Sequence, residues 1–106
     1  MAYDEGLAQR IRDLMPGAKE KAMFGGVAWM DRGNLVVGVL GEEMVARVGK
    51  DDTEAALAQE GVRPFAFTGR AMAGWVLVAP EAIAEDDDLA LWVARCHRFT
   101  DTLPSK

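Results

Sequence analysis

Serine, cysteine and histidine each occur once in this chain of 106 residues, and that scarcity excludes most nucleophilic and metal chemistry. Ser105 comes at the end of the sequence, where we expect nothing to hold a base beside it. Cys96 and His97 are neighbours on a predicted helix, so their side chains point about 100° apart and cannot act as a nucleophile and its base. A zinc site needs about four nitrogen or sulfur ligands in paired spacing, which the sequence lacks. We therefore expect no catalytic residue, no metal site and no cofactor.

Long apolar runs and dense basic runs are also missing. No apolar run approaches the roughly 20 residues that a membrane-spanning helix needs, and the first residues lack the segments of a signal peptide. We therefore expect a cytoplasmic protein with no membrane partner. The net charge is −5 and the lysines and arginines are scattered, so the overall field would repel a phosphate backbone. We expect no direct nucleic-acid binding.

The first half of the chain changes from helical to strand spacing. Tyr3, Leu7, Ile11 and Leu14 recur at helical spacing, and Pro16 ends the predicted helix. Strands are predicted over 22–30, 35–40 and 43–48. The turns between them are 31–34, where Gly and Asn would supply positive φ, and 41–42. The pattern indicates a three-stranded antiparallel meander.

The second half adds two helices and two strands. Asp51 is the predicted N-cap of a short, Ala-rich helix, with Glu54 as its capping-box partner. A brief edge strand over 63–67, a loop over 68–74 and a buried strand over 75–78 follow. Three acidic residues then open a last helix, whose apolar stripe includes Cys96 as an inert core thiol. The order α-β-β-β-α-β-β-α predicts one two-layer α+β domain over 1–106, an antiparallel sheet of about five strands with helices packed on it.

A glycine pair interrupts the first predicted strand. Glycine is costly inside a strand, so Gly25 and Gly26 indicate a place where the bare backbone is needed. The segment belongs to an ordered set of motifs: Met23-Phe24-Gly25-Gly26, Val27-Ala28-Trp29-Met30, Gly33-Asn34, Arg47-Val48-Gly49 and Phe65-x-Phe67-x-Gly69-Arg70-x-Met72-x-Gly74-Trp75-Val76.

This ordered set resembles the N-terminal domain of the TfoX/Sxy family of bacterial competence regulators over roughly residues 3–103. The resemblance implies an antiparallel sheet covered by helices, and a regulatory role through protein partners in transcription. It implies no established catalytic residue. The longer family members add a C-terminal helical domain, which we do not expect in this sequence.

The first candidate site is a sheet face. With a two-residue turn at 41–42, both alternating sets of the second and third strands are apolar, whereas a half-exposed sheet would alternate with polar residues. We expect the second face to be covered by helices, by another subunit or by a partner. The candidate interaction surface, which would also be the contact of a homodimer, comprises Trp29, Val36, Val45 and Arg47. Trp29 would change faces with a one-residue change of register.

The second candidate site is a ligand groove. It would use the bare backbone at Phe24, Gly25 and Gly26, with Arg47 and Arg70 as anion anchors. Strand geometry is the favoured explanation of the glycine pair, and the groove is its alternative. Three functions remain open, in decreasing order: a protein-interaction or regulatory module, a small-ligand-binding domain, and an enzyme.

Overall fold

The computed structural model describes residues 3–23, 25–67 and 70–105, with the backbone alone at 67, 70 and 71. Its six strands form one sheet in which every pairing is antiparallel and the order is β1-β2-β3-β4-β6-β5. The strands are β1 Lys19–Met23, β2 Gly26–Asp31, β3 Asn34–Leu40, β4 Glu43–Arg47, β5 Val62–Phe67 and β6 Arg70–Val78.

Three α-helices accompany the sheet: α1 Glu5–Leu14, α2 Lys50–Leu57 and α3 Asp86–Thr100. A short 3-10 helix, Pro80–Ile83, leads into α3. The Leu7 N–H donates to Asp4 Oδ1 at 3.1 Å, which caps the start of α1. Among the described residues, no helix has both the length and the apolar character that crossing a membrane requires.

The predicted cap of α2 is wrong. Gly49 is the N-cap, with no side-chain hydrogen bond, and Asp51 lies inside the first turn. Gly49 can precede the helix because its φ of 88° belongs to the left-handed region. Because glycine has no side chain to bond the first turn, no capping box forms here, and Thr53 Oγ1 donates back to the Gly49 carbonyl at 2.6 Å.

The helices lie on one face of the sheet and enclose the main core, which confirms the predicted two-layer α+β fold. Ile11 of α1, Ala56 of α2 and Trp92 of α3 are buried there against strand residues. The strand residues facing them are Val37, Val39, Met44, Ala46, Val76 and Val78.

The opposite face carries a small cluster built by the sheet itself. Val45, Phe65 and Leu77 are buried together, with Leu40 and Trp75 packed beside them. Phe65 reaches this cluster at an irregularity in the pairing of β5 with β6. Within the described residues no helix contributes to this cluster, so the helices cover one face and not two.

The first predicted strand is wrong as a single element. It is a hairpin, β1 and β2, in which Met23 pairs with Gly26. Gly25 makes this tight turn possible because its φ is 81°. A Cβ on Gly26 would lie 1.9 Å from the Val39 carbonyl oxygen, so β3 packs directly against a bare backbone. Phe24 lies outside the described residues.

A bulge decides where Trp29 lies. Asp31 pairs with Asn34 as expected, but Arg32 and Gly33, at φ 52° and 81°, supply the positive φ of this turn. The register then shifts, so that Trp29 pairs with Val37 and not with Val36. Trp29 is therefore buried in the helix-covered core.

The last hairpin is longer than predicted. β6 begins at Arg70, so it takes up most of the segment expected to be a loop, whose residues 68 and 69 lie outside the description. β5 is an edge strand as predicted, since it pairs with β6 alone. Pro64, which lacks an N–H, is accommodated at that edge.

Candidate functional site

The four residues of the candidate interaction surface do not share an exposed face. Trp29 and Val36 are fully buried in the helix-covered core, and Val45 is fully buried in the opposite cluster. Val36 joins Trp29 because the bulge places both Val36 and Val37 opposite it. Only Arg47 keeps part of its side chain in contact with solvent.

The described residues of the candidate groove lie at two ends of the sheet. Gly26 faces Val39 near the end of β3, whereas the Arg47 side chain bonds to Leu35 near the start of that strand. Arg70 opens β6 opposite Phe67, and its side chain lies outside what the structure describes. Phe24 lies outside the described residues as well. Among the groove residues described beyond the backbone, Arg47 lies apart from Gly25 and Gly26.

Arg47 occupies an aromatic niche at the end of β4. Its guanidinium carbon lies 5.2 Å from the centroid of the Trp75 ring and 5.6 Å from that of Phe99. One terminal nitrogen donates to the Leu35 carbonyl at 3.2 Å. Burial lowers the pKa of Arg47, but a guanidinium titrates so far above neutrality that the side chain stays charged.

An open cleft of about 650 Å³ adjoins this niche. The end of β4, the start of α2, the middle of β6 and the second half of α3 form its walls. We call it the Arg47 cleft, after the residue at its base. Its principal side chains are Arg47, Lys50, Trp75, Arg95, Arg98 and Phe99. A smaller depression of about 280 Å³ shares Arg95 and Arg98 with the cleft and extends to Leu91.

Positive charge dominates the Arg47 cleft. Arg47, Lys50 and Arg98 form no ion pair within the part of the chain that the structure describes. Arg95 does form one, because its Nε donates to Asp52 Oδ2 at 2.6 Å. That hydrogen bond is the main reason why the pKa of Asp52 lies below its ordinary value. The cleft is thus a cationic site on a protein of net charge −5.

Gly49 and Gly74 lie where backbone hydrogen bonds connect two walls of the Arg47 cleft. The N–H groups of Val48 and Gly49 both donate to the Gly74 carbonyl, at 2.9 and 3.1 Å. Gly49 and Gly74 have φ of 88° and 90°, which side chains rarely adopt. A Cβ on Gly49 would lie 2.4 Å from the Phe99 ring, so the aromatic niche depends on that bare backbone.

Cys96 and His97 have separate structural surroundings. Cys96 is buried in the main core, as predicted, and burial raises the pKa of its thiol to about 12. His97 Nε2 lies 3.9 Å from Asp31 Oδ2 at the edge of the helix. Over the described ranges, no three histidine, cysteine, aspartate or glutamate side chains converge as a metal site would need.

Sequence reasoning identified Arg47 but missed Lys50, Arg95, Arg98 and Phe99. Arg95 and Arg98 are three residues apart on a helix, which places them on one face. That spacing was visible in the sequence. β4 and the start of α2 lie against that face of α3, and this is a long-range contact that no local sequence pattern indicates.

A family model described as the TfoX N-terminal domain matches residues 10–100 of the chain. The match runs from the second half of α1 to the end of α3 and takes in all six strands, so it includes every wall of the Arg47 cleft. Comparison with curated proteins and with solved structures found no match.

Proposed function

The chain belongs to the TfoX N-terminal domain family, and from this premise we propose that it is a non-catalytic regulatory domain that acts in the cytoplasm by binding a partner protein. The family supports a regulatory role in general. The observation that carries the finer proposal is the Arg47 cleft, which three cations without an ion pair in the described chain line together with two aromatic rings.

The composition of the cleft fits a protein interface. Arginine and tryptophan are the residue types in which binding energy concentrates, and Arg47 and Trp75 are in contact here. Leu91 lies in the adjoining depression with 69% of its surface exposed, the most of any large apolar side chain described. A cationic, aromatic centre beside an exposed leucine suits a protein partner, which presents polar and apolar groups together.

Matched charge reversals test this proposal. We would immobilise the wild type and the variants Lys50→Glu, Arg98→Glu and Lys21→Glu, and quantify the proteins that each captures from the native cytoplasm. Lys21 is exposed on β1, away from the cleft, so its variant controls for the change in net charge. We expect the wild type and the Lys21 variant to retain one protein that the two cleft variants lose. That captured protein, once purified, should bind the wild type again.

A capture profile that is the same for all four proteins would contradict binding at the cleft. A reaction catalysed by the purified wild type, lost on substituting a cleft residue, would contradict the non-catalytic proposal. Circular dichroism melts of all variants establish that each is folded before its captured proteins are compared.

Small-anion binding is the second candidate function, and one observation favours it. Arg47 is fixed by two rings and a carbonyl, which is the preorganisation that a small-ligand site needs. Arg47, one of the residues first proposed for that function, lines the Arg47 cleft. Calorimetric titration with inorganic phosphate and with acetate tests it directly.

A further inference from the structure

We infer that the Arg47 cleft receives an acidic segment of the partner protein, whose carboxylates bind Arg47, Arg98 and Lys50. This inference rests on the proposed function and adds the chemistry of the partner. The argument has four parts: which arginines are paired, how Arg47 is held, what shape the cleft has, and what Asp52 does there.

Two arginines of the cleft differ from the other described arginines in their ion pairs. Seven arginine side chains are described, and five of them form ion pairs: Arg10 with Asp86, Arg12 with Glu20, Arg32 with Asp101, Arg63 with Glu43 and Arg95 with Asp52. The two that form none in the described chain, Arg47 and Arg98, line the same cleft. In a protein with 17 acidic and 12 basic residues, unpaired arginines that converge are the cations available to an outside carboxylate.

Arg47 is held ready to bind. A guanidinium has five N–H donors in a rigid plane, and Arg47 uses one nitrogen for the Leu35 carbonyl. Trp75 and Phe99 hold the group, so little rotamer freedom remains to be lost when a ligand arrives. The remaining donors match the two oxygens of a carboxylate, which a guanidinium binds in a bidentate manner.

The shape of the site favours a peptide over a single ion. The cleft and the smaller depression share Arg95 and Arg98, so a continuous surface runs from Arg47 to Leu91. An extended chain with carboxylates beside an apolar side chain would use both the cations and the exposed leucine. A free ion would use only the cations.

Negative charge in the cleft discriminates between anions. Asp51 and Asp52 line the same cleft, and they repel a doubly charged phosphate more strongly than a singly charged carboxylate. The net charge of −5 adds to the repulsion of a phosphate backbone. An oligonucleotide carries a charge at every nucleotide, so it is repelled more than a peptide in which carboxylates alternate with neutral residues, and the acidic peptide is preferred.

Asp52 acts as an internal competitor for Arg95. Its carboxylate makes two contacts with that guanidinium, at 2.6 and 3.3 Å, which is the arrangement that a carboxylate of the partner would otherwise adopt. Asp52→Asn would remove the competing charge while the residue keeps its size. The partner's affinity should therefore rise, and Asp13→Asn, with the same charge change on α1, should leave it unchanged.

The test uses a fluorescein-labelled peptide of repeated Glu-Ser-Asp-Leu and a control peptide of repeated Gln-Ser-Asn-Leu. Fluorescence anisotropy with the full chain should show binding of the acidic peptide alone. The affinity should weaken as salt rises, because the Debye length is only about 10 Å at 0.1 M. Arg98→Gln should weaken it roughly tenfold, as the loss of one charged hydrogen bond does, whereas Arg63→Gln on β5 should not.

Substitution by lysine distinguishes the role of Arg47 from that of Arg98. Arg98→Lys keeps a point charge and should retain most of the affinity. Arg47→Lys also keeps the charge but loses the planar group between the rings, so it should bind roughly tenfold more weakly. Asp52→Asn should bind more tightly, by roughly the same factor.

Four results would overturn the inference: no binding of the acidic peptide, equal binding of both peptides, full competition by inorganic phosphate, or tighter binding of a single-stranded oligonucleotide. The proposed function fails separately. A purified partner that is retained despite Lys50→Glu and Arg98→Glu removes the cleft from the function. A partner lost by those variants that the acidic peptide does not displace removes only the acidic segment.

Discussion

Two ends of one sheet use glycine in opposite ways. At the β1–β2 hairpin, Gly26 allows the Val39 carbonyl to approach so closely that a Cβ would lie 1.9 Å from its oxygen. At the Arg47 cleft, Gly49 faces the Phe99 ring, a side chain that can turn, and an open cavity lies beside it. A glycine against rigid backbone is explained by packing alone. A glycine that shapes the wall of a cavity also affects what the cavity can hold.

Gly26→Ala should have the largest effect, because the new Cβ meets a backbone atom that cannot move without displacing β3. We expect a loss of at least about 3 kcal/mol in the free energy of unfolding, or no folding at all. Urea unfolding measures it. The neighbouring Gly25→Ala is the control: there is open space around its Cβ, so only the φ of 81° is strained and the cost should be about 1 kcal/mol.

If Gly26→Ala and Gly25→Ala lost the same free energy of unfolding, the contrast between the two glycine sites would fail at the hairpin. They would show that the hairpin yields to an extra methyl group, and that close packing is not the reason for Gly26.

Gly49→Ala should have an intermediate effect on stability and a specific effect on the cleft. The φ of 88° and the displaced Phe99 ring together should cost about 2 kcal/mol. Because Phe99 is one of the two rings that hold Arg47, the variant should also bind the acidic peptide more weakly. Phe99→Leu, which removes the ring without backbone strain, should reproduce the loss of binding with a smaller loss of stability. Unchanged peptide affinity in both variants would show that the niche around Arg47 is not part of the binding site.

Asp52→Asn should have the smallest effect on stability, under about 1 kcal/mol at neutral pH, since the pair with Arg95 is partly exposed. The hydrogen bond from Arg95 lowers the pKa of Asp52 in the folded protein below its ordinary 3.8, so the pair stabilises the fold above that value. Its contribution is lost as the pH falls through the folded pKa. The wild type and the variant should therefore differ at pH 7 and converge once the pH falls below the folded pKa, which unfolding curves at several pH values would check. A difference that persists in acid would mean that the stability difference does not come from the charge of Asp52.

The fold was largely predictable because most of its elements repeat at one clear period. β4, and β3 from Val37 onward, alternate between a helix-covered face and an opposite face, and α3 carries an apolar stripe. β1 escaped prediction because four of its five residues are exposed, so its sequence carries no hydrophobic alternation. The face of Trp29 escaped because one bulge changes the register, and a bulge leaves no periodic signal.

The site was less predictable for a topological reason. Arg47 stood out as a charge on an apolar strand, and the glycine pair stood out as a break in another strand. Nothing local joins Arg47 to Arg95 and Arg98, which are about half the chain away and meet it only through the packing of α3 on the sheet. Strand geometry was the favoured explanation of the glycine pair, but the groove stayed an alternative because sequence cannot distinguish a bare backbone left for a ligand from one left for β3.

The most direct measurement of the central claim is an NMR titration of the isotope-labelled chain with the peptide of repeated Glu-Ser-Asp-Leu. If the cleft is the working surface and the hairpin is structural, shift changes should concentrate at the Gly49 and Gly74 amides and the Trp75 indole. The Gly25 and Gly26 amides should stay unmoved in the same spectra. Shifts centred on Gly25 and Gly26, or none at saturating peptide, would contradict the account.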